Sequence, residues 1–184
     1  MPITSTTASS KNNKTERLGA TCARDTDANS QVMTPDETFA ALHRAAQTAC
    51  NARLFTITIL DREAGVAWRA YSSHPADYPV TGTKPISPNG WTQQVLDQQE
   101  TFVANNTAEF SPYFSDHALI NALGCEAAVN IPVSDGAQVQ GTVNILDKKG
   151  HFTPERVAVL KCLVSDARGA LLQAFASILK DRNR

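Results

Sequence analysis

Phosphate-binding signatures are missing from this chain. It has no GxGxxG run and no GxxxxGK[ST] loop, which excludes the glycine-rich cradles that hold dinucleotides and nucleoside triphosphates. Cysteine is scarce: the four residues Cys22, Cys50, Cys125 and Cys162 form no CxxC pair and no zinc spacing. No metal is therefore expected, and the thiols read as reduced, buried or incidental. No uninterrupted apolar run reaches the ~20 residues of a membrane span. Residues 1–33 also lack the apolar core of a signal peptide. Net charge is missing too, with 17 Lys and Arg against 18 Asp and Glu. That balance offers no basic footprint for nucleic acid or for an anionic membrane. The expectation is a cytoplasmic chain that binds neither.

What is present divides sharply. Residues 1–33 are rich in Ser, Thr, Asn and Lys and nearly devoid of large apolar side chains, so they are expected to form a disordered tail before a domain over 34–184. Thr34-Pro35-Asp36-Glu37 then reads as a capping box with proline at the first helical position. Phe39, Leu42, Ala46 and Ala49 recur at helical spacing up to about Asn51. Leu54–Leu60 and Val66–Ser72 alternate as the two strands of a hairpin. His74–Gly90 holds four prolines and two glycines, a density that predicts a long loop without regular structure. A short helix from Trp91, a strand at Thr101–Ala104 and helical turns over Asp116–Leu123 follow. The strands Glu126–Val133 and Val139–Leu146 form a second hairpin. Thr153-Pro154-Glu155 opens a long last helix whose apolar stripe runs from Val157 to Ile178. The plan is α+β: a mostly antiparallel sheet with helices packed on it.

Strand parity sorts the sheet into two faces. Phe55, Ile57, Val129, Ile131 and Val143 point to one side and match the stripes of the two long helices. Thr56, Thr58, Arg69, Tyr71, Glu126, Asn130, Thr142 and Asn144 point to the other. Two long loops must pack on this second side. Buried polar side chains there need partners that a polar ligand can supply. Trp91 would be an aromatic wall, His117 a contact or proton carrier, and Arg69 a bidentate fork for a carboxylate.

The order of elements resembles a GAF domain, a relative of the PAS fold, over about Pro35 to Leu179. The resemblance rests on Leu54–Leu60, on Trp91–Val103 with its "TFVANN", and on "LGCEAAVNIPVSDGAQVQGTVNIL" from Leu123 to Leu146. Phe152-Thr153-Pro154-Glu155 completes it. It implies a six-stranded antiparallel sheet with the first and last helices on one face. Loops and short helices would enclose a small-molecule pocket on the other, and the two helices would pair in a homodimer. No output domain follows Leu179, so a stand-alone sensor acting through its dimer or a protein partner is expected.

The leading reading is a non-catalytic sensor of a small polar or anionic metabolite. Its ligand-binding residues would be Arg69, Tyr71, Trp91, His117, Glu126, Asn130 and Asn144, with no cofactor. The alternative is a small enzyme using Glu126 or His117 as acid and base. Sulfoxide-reductase chemistry, known for one GAF-type enzyme class, is disfavoured because residues 75–121 contain no cysteine.

Overall fold

Thr34 starts the ordered chain as its neighbours dictate. In the computed structural model, which describes residues 33–182, Thr34 Oγ1 accepts from the Glu37 N–H at 3.3 Å. The Glu37 carboxylate accepts in return from the Thr34 N–H at 2.8 Å. This reciprocal pair caps α1 (Pro35–Cys50), which ends at Asn51 in the left-handed conformation. The expected tail lies outside the described residues, apart from Met33.

β1 (Leu54–Asp61) and β2 (Val66–Ser72) form the first hairpin, and β5 (Ala127–Ser134) and β6 (Val139–Asp147) the second. Between them run β3 (Lys84–Pro85), α2 (Gly90–Thr92) continuing as a π-helical turn over Gln93–Asp97, and β4 (Phe102–Ala104). The short helices α3 (Thr107–Phe110) and α4 (His117–Ala122) follow, and α5 (Pro154–Arg182) closes the fold. All neighbours in the sheet are antiparallel, in the order β3-β2-β1-β6-β5-β4.

β3 departs from the expected irregular loop. Its two residues pair with Val66 and Ala67 and supply the sixth strand. It sits at the sheet edge, where Pro85 is tolerated because a missing N–H interrupts no inner ladder.

α1 and α5 cover one face. Phe55, Ile57, Val129, Ile131 and Val143 join Phe39, Leu42, Leu160, Leu171 and Phe175 in one buried cluster there. β6 passes so close beneath α5 that Gly141 has no room for a side chain. A Cβ there would sit 2.5 Å from the Thr58 carbonyl oxygen and 2.6 Å from the Phe175 ring.

The opposite face is not simply polar. Leu54, Leu60, Phe102, Ala128 and Leu146 on the strands pack with Leu96, Phe110 and Ile120 from the covering layer. The sheet is thus buried on both sides. The polar residues form an island inside a second apolar core, because short helices and loops of this length must themselves find something apolar to bury.

α5 corrects a second expectation. By length and composition it is apolar enough to cross a membrane, with a mean hydropathy of 1.3 over its most apolar stretch. Asp166 and Arg168 interrupt it, and Leu160, Val164, Leu171, Ala174 and Phe175 bury against the domain. One side of it packs on the domain, but only 22% of that stretch is buried, so much of it faces outward.

Candidate functional site

The loop after β2, the α2 segment and the chain around Tyr113–Asp116 arch over the middle of the second face. They border a half-open cavity of about 540 Å³. Sheet register lays its polar floor. Asn130 faces Asn144 across β5 and β6, and Asn144 faces Thr56 across β6 and β1. One row across three strands therefore carries three polar side chains. The next row adds Thr142 opposite Thr58.

These groups satisfy one another. The Trp91 indole N–H donates to Asn130 Oδ1 at 2.8 Å, and Asn130 Nδ2 donates to Asn144 Oδ1 at 2.8 Å. Asn144 Nδ2 then donates to Thr56 Oγ1 at 3.2 Å and Thr58 Oγ1 at 3.0 Å. Trp91 is aimed by its own helix start. Asn89 caps α2 by accepting from the Thr92 N–H at 2.9 Å, while Thr92 Oγ1 accepts from the Asn89 N–H at 2.7 Å. Leu60, Leu96, Ile120, Leu146 and Phe114 make the apolar walls. The relay fills the capacity that sequence reasoning reserved for a ligand, and leaves the hydroxyl protons and spare lone pairs to engage one.

Charge gathers at the mouth. Asp116 accepts from the Tyr78 hydroxyl at 2.6 Å, pairs with Lys84 Nζ at 3.1 Å and lies 3.7 Å from Arg69 Nη2. The Arg69 guanidinium stacks over the Tyr78 ring, 3.5 Å from its centroid, and donates to the Pro79 carbonyl. Burial opposes the charge on Asp116, but the Tyr78 hydroxyl and Lys84 outweigh it and hold the carboxyl below its ordinary range. Burial, and then the Asp116 charge, push the Tyr78 phenol well above its usual value, so it stays a neutral donor. The cluster is a latch that ties the loop after β2 to the start of α4.

Of the residues singled out from the sequence, Arg69, Trp91, Asn130 and Asn144 line this cavity. Tyr71 does not. A bulge in the β1–β2 pairing between Ile57 and Thr58 adds Ala70 to the outer strand. Tyr71 therefore turns to the helix side, where it shares a 3.0 Å hydrogen bond with His43 and packs on Phe55. Glu126 precedes β5, is exposed, and only its backbone N–H is used, donating to the Asp147 carbonyl at 2.8 Å. His117 also lies off the cavity: as the first residue of α4 it turns its Nδ1 back to the Phe114 carbonyl at 2.9 Å. Asp116 beside it occupies the place expected of the histidine.

Sequence reasoning missed Asp116, Lys84 and the hydroxyl of Tyr78 as a set. Their meeting depends on two loops 38 residues apart closing on each other, and no periodic signal reports that. Cys125 is buried in the second core, and burial followed by the Asp147 charge lifts its thiol to about 11, far from a reactive thiolate.

The GAF domain family profile matches residues 32–171. The chain belongs to the GAF domain family. Solved GAF domains share its fold at low identity. That of a GAF domain/HD domain protein from Geobacter sulfurreducens matches with a TM-score of 0.63 and 15% identity, covering 77% of this chain and 95% of that one. The GAF domain of a two-component sensor histidine kinase from Bacillus halodurans gives 0.62 and 15%, covering 77% and 95%. That of a phosphoenolpyruvate-protein phosphotransferase from Acinetobacter gives 0.61 and 16%, covering 80% and 87%. No curated protein matches the chain at a significant level. At such identity the likeness carries the fold and leaves the ligand to this chain's own residues.

Proposed function

We propose that this GAF domain is a non-catalytic sensor that binds a small polar or anionic metabolite in the cavity between Trp91 and the Asn130–Asn144 floor. One observation carries the reading: a half-open cavity of about 540 Å³ joins a polar floor, apolar walls and a charged mouth, the composition of a small-molecule site. Arg69 and Lys84 outnumber Asp116 at the mouth, so a ligand acid group can take the place of Asp116 and release the latch. Glu126 and His117, the acid–base candidates, lie outside the cavity, which favours the sensory reading over an enzymatic one.

Signal output is proposed to run through a homodimer of α1 and α5, supported by the outward face of α5 and by Val159, 47% exposed on it. A cytoplasmic location is part of the same proposal, supported by the exposed free thiol of Cys162, which a reducing compartment preserves.

Native mass spectrometry of the protein purified from its own host tests the ligand, and sedimentation velocity on the same preparation tests the dimer. A co-purifying small acid is expected, with affinity weakened about tenfold or more in Arg69→Ala, the loss of a hydrogen bond to a charged group. An empty protein that shows no thermal shift with a panel of small acids would remove the sensory reading.

A further inference from the structure

A second cleft lies where α1 hands over to β1 and β6 hands over to α5. It measures about 520 Å³ and is lined by Arg53, His74, Asp147, Lys148, His151 and Arg156, among others. Three cationic residues and one carboxylate line it, with the Arg53 guanidinium lying beside Gly124, in a chain whose net charge is −1. Among the described residues, none of the three cations forms a salt bridge.

Asp147 turns its hydrogen bonds to the backbone rather than to these side chains. Its two oxygens accept from the backbone N–H groups of Arg53 at 2.9 Å and Lys148 at 2.6 Å. That geometry fixes the backbone from which both cationic side chains project. Arg156 is fixed as well: its Nη1 donates to the His151 carbonyl at 2.7 Å, which leaves the rest of the guanidinium fork open.

His151 supplies an independent sign of an unfinished site. Its side chain is 7% exposed. Nε2 donates to the Cys50 carbonyl at 3.0 Å, while Nδ1 is buried without a hydrogen-bond partner, 3.5 Å from Asp147. Buried polar atoms in native folds are normally matched. Among the described residues no group of three or more His, Cys, Asp and Glu is gathered as a metal set.

We infer that this cleft binds a tetrahedral oxyanion, either free phosphate or the phosphoryl group of a small phosphomonoester. Two guanidinium forks and an ammonium match the geometry and charge of such a group. The cleft is larger than the ion alone and has room for an ester substituent. This site is separate from the cavity under Trp91 and stands without the sensory reading.

Isothermal titration calorimetry of the full chain with inorganic phosphate and with phenyl phosphate, at constant ionic strength, tests it. Saturable binding is expected, weakened about tenfold in each of Arg53→Ala and Arg156→Ala, the loss of a charge-assisted hydrogen bond. Both residues are exposed, so the fold survives the change. Lys161→Ala, on the exposed side of α5, leaves binding unchanged. Tighter binding of phenyl phosphate assigns the site to a phosphomonoester, and tighter binding of phosphate assigns it to the free ion. No saturable heat with either compound overturns the inference. So does binding that persists in both arginine variants, or that falls equally in Lys161→Ala.

Discussion

At the scale of single residues, Asn144 holds the centre of the cavity floor. It accepts from Asn130 and donates to two threonines on β1. Asn144→Ala would leave the Asn130 amide and both hydroxyls short of a partner in a buried row. The expected cost is about 1–3 kcal/mol, the penalty for an unmatched buried polar group, measured by urea denaturation. A loss under about 0.5 kcal/mol would mean that water replaces the side chain and that the floor is wetter than its burial suggests. Strand parity places Asn130, Asn144, Thr56 and Thr58 on the floor correctly because no irregularity interrupts their register. Tyr71 fails by the same logic. One extra residue at a bulge reverses every side chain beyond it, and the alternation of Val66–Ser72 carries no mark of the bulge.

Elements show a similar division. The capping box of α1, both hairpins and the start of α5 rest on local chemistry and are legible in sequence. The β3 edge strand is not, because two residues among prolines form a strand only when β2 is beside them. β6 carries a contact of the same non-local kind at Gly141, pressed between the Thr58 carbonyl and the Phe175 ring. Gly141→Ala is expected to destabilise the domain by about 1–3 kcal/mol, the usual range for overpacking, with a matching fall in the urea midpoint. Phe175→Leu in the same chain should relieve the ring contact and leave the carbonyl contact, so rescue stays partial. Full rescue would show that the β1–β6 backbone yields and that α5 alone sets the constraint.

At the scale of the whole molecule, several groups tie stability to pH in one direction. Burial first, and then the charges of His74 and Arg44, hold His43 below its ordinary value. It lies between α1 and the sheet, stacked on Phe55 with ring centroids 5.1 Å apart. A group whose folded pKa is lowered gives stability that is present above its unfolded value and lost as pH falls through the folded one. The His43 contribution therefore fades as pH drops below about 6.5, the ordinary histidine value. Asp116 in the latch is also lowered, so its contribution fades in a second step below about pH 4. The urea midpoint is expected to fall on going from about pH 7 to about pH 5, and again in stronger acid. His43→Gln, which keeps a hydrogen-bonding group near Tyr71 but cannot titrate, should flatten the first fall and leave the second. Asp116→Asn should do the reverse, and it should also loosen the loop after β2, because Lys84 and Arg69 lose their shared counter-charge. If the first fall persists undiminished in His43→Gln, the packing of α1 on the sheet does not set the acid sensitivity of the domain, and another titrating group must carry it.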